Sequence, residues 1–249
     1  MNLDPAINTE AHACGGGVPS SDAGWIVGLL QADDSFYPTG SYAHSFGLEG
    51  LVQENVVRDR ATLREFIFQS VLPSLRRVEL PLASHAWQAF GGGDWQKVAE
   101  LCGLSSALKA SQELRNASAN IGRQRAELIT LLRPHALAGE YLARARDAEW
   151  PFSAAVSAAL EGRVLDAPQV AVLSGMYYAT IASLLSAAMK VLRLGQNAAQ
   201  SLLTEALAAA PTVIAAAMEV PVDEIGWFNP WLDIAAARHE TADARMFIS

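Results

Sequence analysis

The chain has 249 residues, 51% of them hydrophobic and only 18% charged, against the ~25% charged fraction usual in globular domains. A formal net charge of -8 repels phosphate backbones and argues against nucleic acid as a partner. The two cysteines, Cys14 and Cys102, make neither a CxxC pair nor a disulfide framework, and no charged-then-apolar leader opens the chain, so a reduced, cytoplasmic protein is expected.

Residues 1–21 read as a flexible arm, because Gly15, Gly16 and Gly17 with Pro19, Ser20 and Ser21 hold no regular structure cheaply. His12 and Cys14 lie on that arm, but two ligands do not make a structural metal site. From residue 22 to 249 the pattern is helical. Asp22 is placed to cap a helix carrying Trp25, Ile26, Leu29 and Leu30, which must end before Pro38. Pro38-Thr39-Gly40 then predicts a turn, followed by a helix with Ser45 as a cap and Leu48, Leu51 and Val52 as its apolar stripe.

Asp59 or Thr62 starts the next helix, and Thr62 with Glu65 has capping-box spacing. Its apolar pattern runs to Pro73, resumes from Leu80 to Phe90, and stops at Gly91-Gly92-Gly93, after which Asp94 is placed as a new cap. Leu108 to Leu132 reads as one long helix with Leu114, Ile121 and Leu128 seven apart, Arg115, Arg123, Arg125 and Glu127 filling its other faces, and Pro134 and Pro151 as breaks.

Val170, Leu173, Tyr177, Ile181, Leu184, Ala188 and Val191 follow steps of three or four, the clearest helical stripe in the chain. Polar residues such as Ser174 and Lys190 interrupt the run from Val170 to Leu194, which reads as a buried helix rather than a membrane span. Its small residues, Ala171, Gly175, Ala182 and Ser186, would let another helix approach closely, and Gly195 is placed as its C-terminal cap. Two further helices are expected over residues 196–210 and 212–218, then a tail over 228–249 that ends on Met246-Phe247-Ile248. The fold class is therefore all-α: one compact multi-helix bundle with a flexible N-terminal arm and a helical C-terminal tail.

Familiar chemical motifs are missing. There is no GxxxxGK[ST] loop, no GxGxxG, no HExxH and no GxSxG elbow. The five histidines, His12, His44, His85, His135 and His239, form no i, i+4 metal pair. An enzyme, or a chaperone that binds a metal ion directly, would need a site assembled at a dimer seam, for instance from His44, Glu49, His239 and Glu240. The hydrophobic chain end stands out instead: Trp231, Ile234, Met246, Phe247 and Ile248 suit docking on the domain or on a partner.

Two segments carry a family resemblance. Leu30-Gln31, Asp34, Pro38, Gly40, Tyr42, His44, Ser45, Gly47, Leu48 and Glu49 are similar to the N-terminal pattern of the UreF family of urease accessory proteins. The chain end, with Pro230-x-Leu232-Asp233-Ile234-Ala235, His239-Glu240 and Arg245-Met246-Phe247-x-Ser249, resembles the family's closing pattern. Between them Glu113-Leu114-Arg115-x-Ala117-Ser118, Gly122-Arg123 and Leu194-Gly195-Gln196 keep the family's order, so the match spans roughly residues 25–249. Two departures are visible: Pro151-Phe152-Ser153-Ala154-Ala155 lacks the family's glycine, and no proline precedes Leu194-Gly195-Gln196.

The resemblance implies an all-α homodimer that is not an enzyme. It implies binding of UreD (also called UreH) through the N-terminal segment and the C-terminal tail, and recruitment of the GTPase UreG for nickel delivery to apo-urease. Nickel and GTP belong to UreG, so no cofactor is expected here. Arg245 matches the family's tail arginine and Tyr42 its turn tyrosine, a pair implied to fix the tail and shape the GTPase-binding surface. The remaining motif positions, Asp233, His239, Glu240 and Phe247 among them, are expected to serve partner binding or local structure.

Overall fold

A computed structural model describes residues 24–40 and 47–229. Asp22, Tyr42, His44, Ser45, Asp233, His239, Glu240, Arg245 and Phe247 lie outside the described residues, as do the arm and most of the tail. Among the described residues there are nine helices and no strand. They are α1 (Gly24–Ala32), α2 (Leu48–Gln53), α3 (60–92), α4 (Trp95–Ala107), α5 (Gln112–Leu132), α6 (Ala136–Asp147), α7 (Ala154–Val164), α8 (Gln169–Val191) and α9 (Gln196–Met218).

Helix α7 is the axis. Ala155, Val156, Ser157, Ala158, Ala159, Leu160, Glu161 and Gly162 are all buried, as expected of a helix with neighbours on every side. The helices α3, α5, α6 and α8 pack around it. Small residues set the spacing. A Cβ on Gly122 would lie 2.5 Å from the Ser153 carbonyl carbon, and one on Gly162 would lie 2.2 Å from a Val172 methyl. Helices α8 and α9 form a second pair, tied by the buried Tyr177 hydroxyl donating to the Ala206 carbonyl at 2.6 Å.

The capping chemistry is local and mostly as expected. Asp94 accepts from the Lys97 amide at 2.9 Å, and Gly93 ends α3 in the left-handed region at φ 66°. The box at the start of α3 is Asp59 with Thr62 rather than Thr62 with Glu65; Asp59, already extended, is the residue able to take the Thr62 amide. Ser153 caps α7 and His135 caps α6 through side-chain acceptors.

Four expectations are corrected. Helix α3 does not stop at Pro73: two π-helical turns, Ile67–Val71 and Leu75–Glu79, precede Pro73 and Pro81, and the wider turns accommodate rings that would clash in a regular helix. The stretch from Leu108 to Leu132 is not one helix, because Ser111 caps α5 by accepting from the Leu114 amide at 3.1 Å. Gly195 does not cap α8; it is the extended residue that starts α9, while Leu192 ends α8. Helix α9 runs unbroken through Pro211, whose ring is exposed, so water can satisfy the carbonyl that proline leaves without a donor.

Helices α8 and α9 are both long and apolar enough, by composition, to cross a membrane. Each buries one face in the core, through Leu173, Ile181 and Leu184 of α8 and Leu202, Ala206 and Ile214 of α9. The expectation of a buried α8 is thus met on one side only, since Val170, Tyr178 and Met189 are exposed.

Candidate functional site

A buried charge network lies beneath the N-terminal segment. Glu161, on the enclosed helix α7, is 0% exposed. Its carboxylate accepts from Arg125 Nη1 at 2.9 Å, from Arg133 Nη1 at 3.0 Å and from the Tyr37 hydroxyl at 2.8 Å. Both arginines come from α5, and Arg133 sits at its C-terminal end, where the helix dipole favours a cation.

The same guanidiniums reach the N-terminal segment with their other nitrogens. Arg125 Nη2 donates to the Ala32 carbonyl at 3.2 Å, and Arg133 Nη2 donates to Gln31 Oε1. The Arg125 guanidinium also stands over the Tyr37 ring, 5.6 Å from its centre. Residues 31, 32 and 37 are therefore held on one buried carboxylate through planar, directional donors. Burial, then the charge of Glu161, pushes the Tyr37 hydroxyl up to about 12, so it stays a donor at any physiological pH.

Asp33 belongs to the same cluster. Burial pushes its carboxyl up to about 6, with Arg125 opposing the rise and Glu161 adding to it. Its Oδ2 lies against the backbone of Gly175 on α8, where a Cβ would come within 1.9 Å. At that position the chain needs glycine for close approach.

Asp33 and Arg125 also border an apolar cleft of about 280 Å³. The π turns of α3 supply Val71, Leu75 and Val78 to one wall, and Leu114, Ile121 and Met176 supply others. At its rim Lys109 Nζ pairs with Glu79 at 3.1 Å. The chain leaving α9 is guided along α3 to this cleft. His85 Nε2 donates to the Val220 carbonyl at 2.8 Å, Arg77 to the Glu224 carbonyl at 3.2 Å, and Asn229 Nδ2 to Ser70 Oγ at 3.0 Å. Trp227 and Asn229 border the cleft, and Phe228 beside them is 78% exposed.

The UreF family model matches residues 57–207. The chain is 34% identical to the urease accessory protein UreF of Azoarcus sp. (strain BH72) over 90% of this chain and 95% of that protein. It is 32% identical to that of Paenarthrobacter aurescens (strain TC1), over 91% of this chain and 99% of that protein. The corresponding protein of Bacillus sp. (strain TB-90) is 26% identical over 90% and 99%. The chain belongs to the UreF family. It is thus a urease accessory protein of all-α fold.

The family motif residues fall in three groups. Gly40 and Gly47 have φ 80° and 78°, the left-handed region that favours glycine. Gly47 borders the cleft, Pro38 is exposed and does not border it, and Glu49 is a buried carboxylate on α2. Arg115 supports the cleft from behind: its Nη1 donates to the Lys109 and Ala110 carbonyls at 2.7 and 2.8 Å, fixing the α4–α5 connection. Gly195 and Gln196 are exposed at the start of α9 and do not border the cleft.

Sequence reasoning about this UreF-family chain missed Tyr37, Asp33, Arg133 and Glu161, and it gave Arg125 only as filling another face of its helix, whereas that side chain is mostly buried. One clue was available: Glu161 interrupts the run Ala154-Ala155-Val156-Ser157-Ala158-Ala159-Leu160, and a lone carboxylate in such a run requires a partner if buried. Among the described residues no group of three His, Cys, Asp or Glu side chains could hold a metal ion. Cys102 is buried beside the Tyr141 hydroxyl at 3.7 Å, and burial pushes its thiol up to about 11, which makes it a poor thiolate ligand.

Proposed function

We propose that this chain is a non-catalytic scaffold of urease maturation, a cytoplasmic homodimer that binds UreD/UreH and recruits the GTPase UreG, with nickel and GTP carried by the GTPase. The observation that carries the reading is the platform made by residues 24–40. The buried network ties residues 31, 32 and 37 to the body while the segment presents Val27, Leu30 and Phe36 to the outside, Phe36 at 93% exposure. Exposed apolar side chains on a fixed backbone suit a contact surface rather than a reaction site. The family resemblance of the N-terminal pattern to a UreD-binding segment supports the same assignment.

The homodimer is supported by α8. Its outward face combines Ala171, Ala182 and Ser186 with the exposed Tyr178 and Met189, a composition that permits close helix approach. Ala182→Glu is expected to shift the molecule from dimer to monomer in sedimentation, and an unchanged dimer places the seam elsewhere.

The assembly itself is tested at the tail. Arg245→Ala is expected to keep the helical circular dichroism of the wild type and to lower capture of UreG by at least about ten-fold in a pull-down with UreD/UreH, the loss of one charge-assisted contact. Undiminished capture would remove Arg245 from the proposed surface.

A further inference from the structure

We propose that docking of the Gln31–Tyr37 segment on the helical body is linked to uptake of a proton by Asp33, so that the platform tightens on acidification and loosens as the pH rises. The proposal deepens the scaffold reading, since this is the platform assigned to partner contact, but the linkage belongs to the isolated chain and can be measured there.

The geometry is that of two carboxyl groups and two guanidiniums, with both guanidiniums paired to one carboxylate. Arg133 Nη1 goes to Glu161 and its Nη2 to Gln31. Arg125 Nη1 goes to Glu161 and its Nη2 to the Ala32 carbonyl. Glu161, enclosed in α7 and meeting both guanidiniums, claims them first. Asp33 feels the charge of Arg125, whose two terminal nitrogens are engaged by Glu161 and Ala32.

From α8, Asp33 meets Gly175, which offers no charge. From its own segment, Tyr37 donates to Glu161 and not to Asp33. Across the cleft, Lys109 and Glu79 are paired with each other. Among the described residues, the charged and titratable groups facing Asp33 are thus one shared cation, one buried anion and a neutral phenol, beside an apolar cavity. Two carboxylates near one guanidinium favour protonation of the less well-paired of the two, in agreement with the upward displacement of Asp33 from 3.8 to about 6.

The sign follows from linkage. The docked segment binds the Asp33 proton more tightly than the undocked one, so docking is fully assisted below the ordinary carboxylate value. That assistance is lost as pH rises to about 6. Between about pH 5 and about pH 7.5 these values weaken docking by about ten-fold. The proton goes to a carboxylate oxygen from solvent through the cleft, with no other bond changed.

Amide hydrogen exchange of the full chain, corrected for intrinsic rates, reads the segment through the Asp33 and Tyr37 amides, which donate to the Leu29 and Asp34 carbonyls. The expected result is an about ten-fold loss of protection of these amides from about pH 5 to about pH 7.5. The α7 amides should be unchanged. Asp33→Asn should abolish the pH dependence and Asp34→Asn should retain it. Equal protection at both pH values, the same loss in Asp33→Asn, or a parallel loss in α7 would overturn the proposal. Should Asp33→Asn fail to fold, the carboxyl carbon shift of Asp33 in the unaltered protein decides: a midpoint near 6 supports the linkage, and one below about 4 overturns it. None of these readouts involves a urease partner, so their failure leaves the scaffold reading standing.

Discussion

Replacing Glu161 by alanine will lower stability by about 3–5 kcal/mol, the range for removing one partner of a buried ion pair. The loss strands two guanidiniums whose side chains are 12% and 19% exposed and takes the acceptor from the Tyr37 hydroxyl. Water cannot enter α7 easily to replace the carboxylate, because the helix is enclosed on all sides. Glu161→Gln keeps the shape and one acceptor, so its loss should be smaller, about 1–3 kcal/mol. Urea unfolding midpoints with an unchanged slope check both values. The network as a whole is not a source of stability, since burying three ionised groups costs about as much as their attraction returns. Its role is to fix where residues 31–37 sit.

Gly122→Ala is expected to be the most damaging single-methyl change, about 1–3 kcal/mol and at the upper end of that range. The added carbon would lie 2.5 Å from the Ser153 carbonyl carbon and 2.8 Å from its nitrogen. This is backbone, and it is pinned: Ser153 Oγ donates to Ser105 Oγ at 2.8 Å, and the Ala154 amide donates to Ser118 Oγ at 3.3 Å. Helices α5 and α7 would have to separate, which disturbs Arg125 and Glu161 across the same contact. Gly139→Ala in α6 is the control, because nothing lies within 4 Å of the new carbon. It should raise stability by about 0.5–1 kcal/mol through backbone entropy. Thermal melts of the two variants should move in opposite directions.

What could be read from the sequence was what is local in it. The stripe from Val170 to Val191 gave α8, and Asp59 and Asp94 gave two helix starts, because periodicity and capping act over a few residues. Pro73 and Pro211 misled for a reason of context. One is accommodated by a preceding π turn and the other sits on an exposed helix face, and neither accommodation is written in the neighbouring residues. The charge network was illegible because its members are distant in sequence: Tyr37 and Glu161 are 124 residues apart, and Arg125 and Glu161 are 36 apart. The family motif drew attention to the segment from Leu30 to Glu49 through its turn residues. It passed over Asp33 and Tyr37, which anchor that segment, since neither belongs to the repeated pattern.

The pieces fit a single functional arrangement. A helical body built around α7 holds the N-terminal platform by charge, leads the chain after α9 along α3, and brings Trp227 and Asn229 to the cleft that Asp33 and Gly47 also border. Residues 33 and 47 of the N-terminal motif segment and residues 227 and 229, just before the C-terminal motif, thus border one cleft although they are far apart in the chain. Convergence of this kind suits a surface completed by other proteins better than a self-contained reaction site.

The most direct measurement is the nickel content and activity of urease purified from cells that express the urease operon with and without this chain. A maturation scaffold predicts urease that is largely nickel-free and inactive in its absence, and loaded when the chain is restored. Fully metallated, active urease made without it would contradict the account.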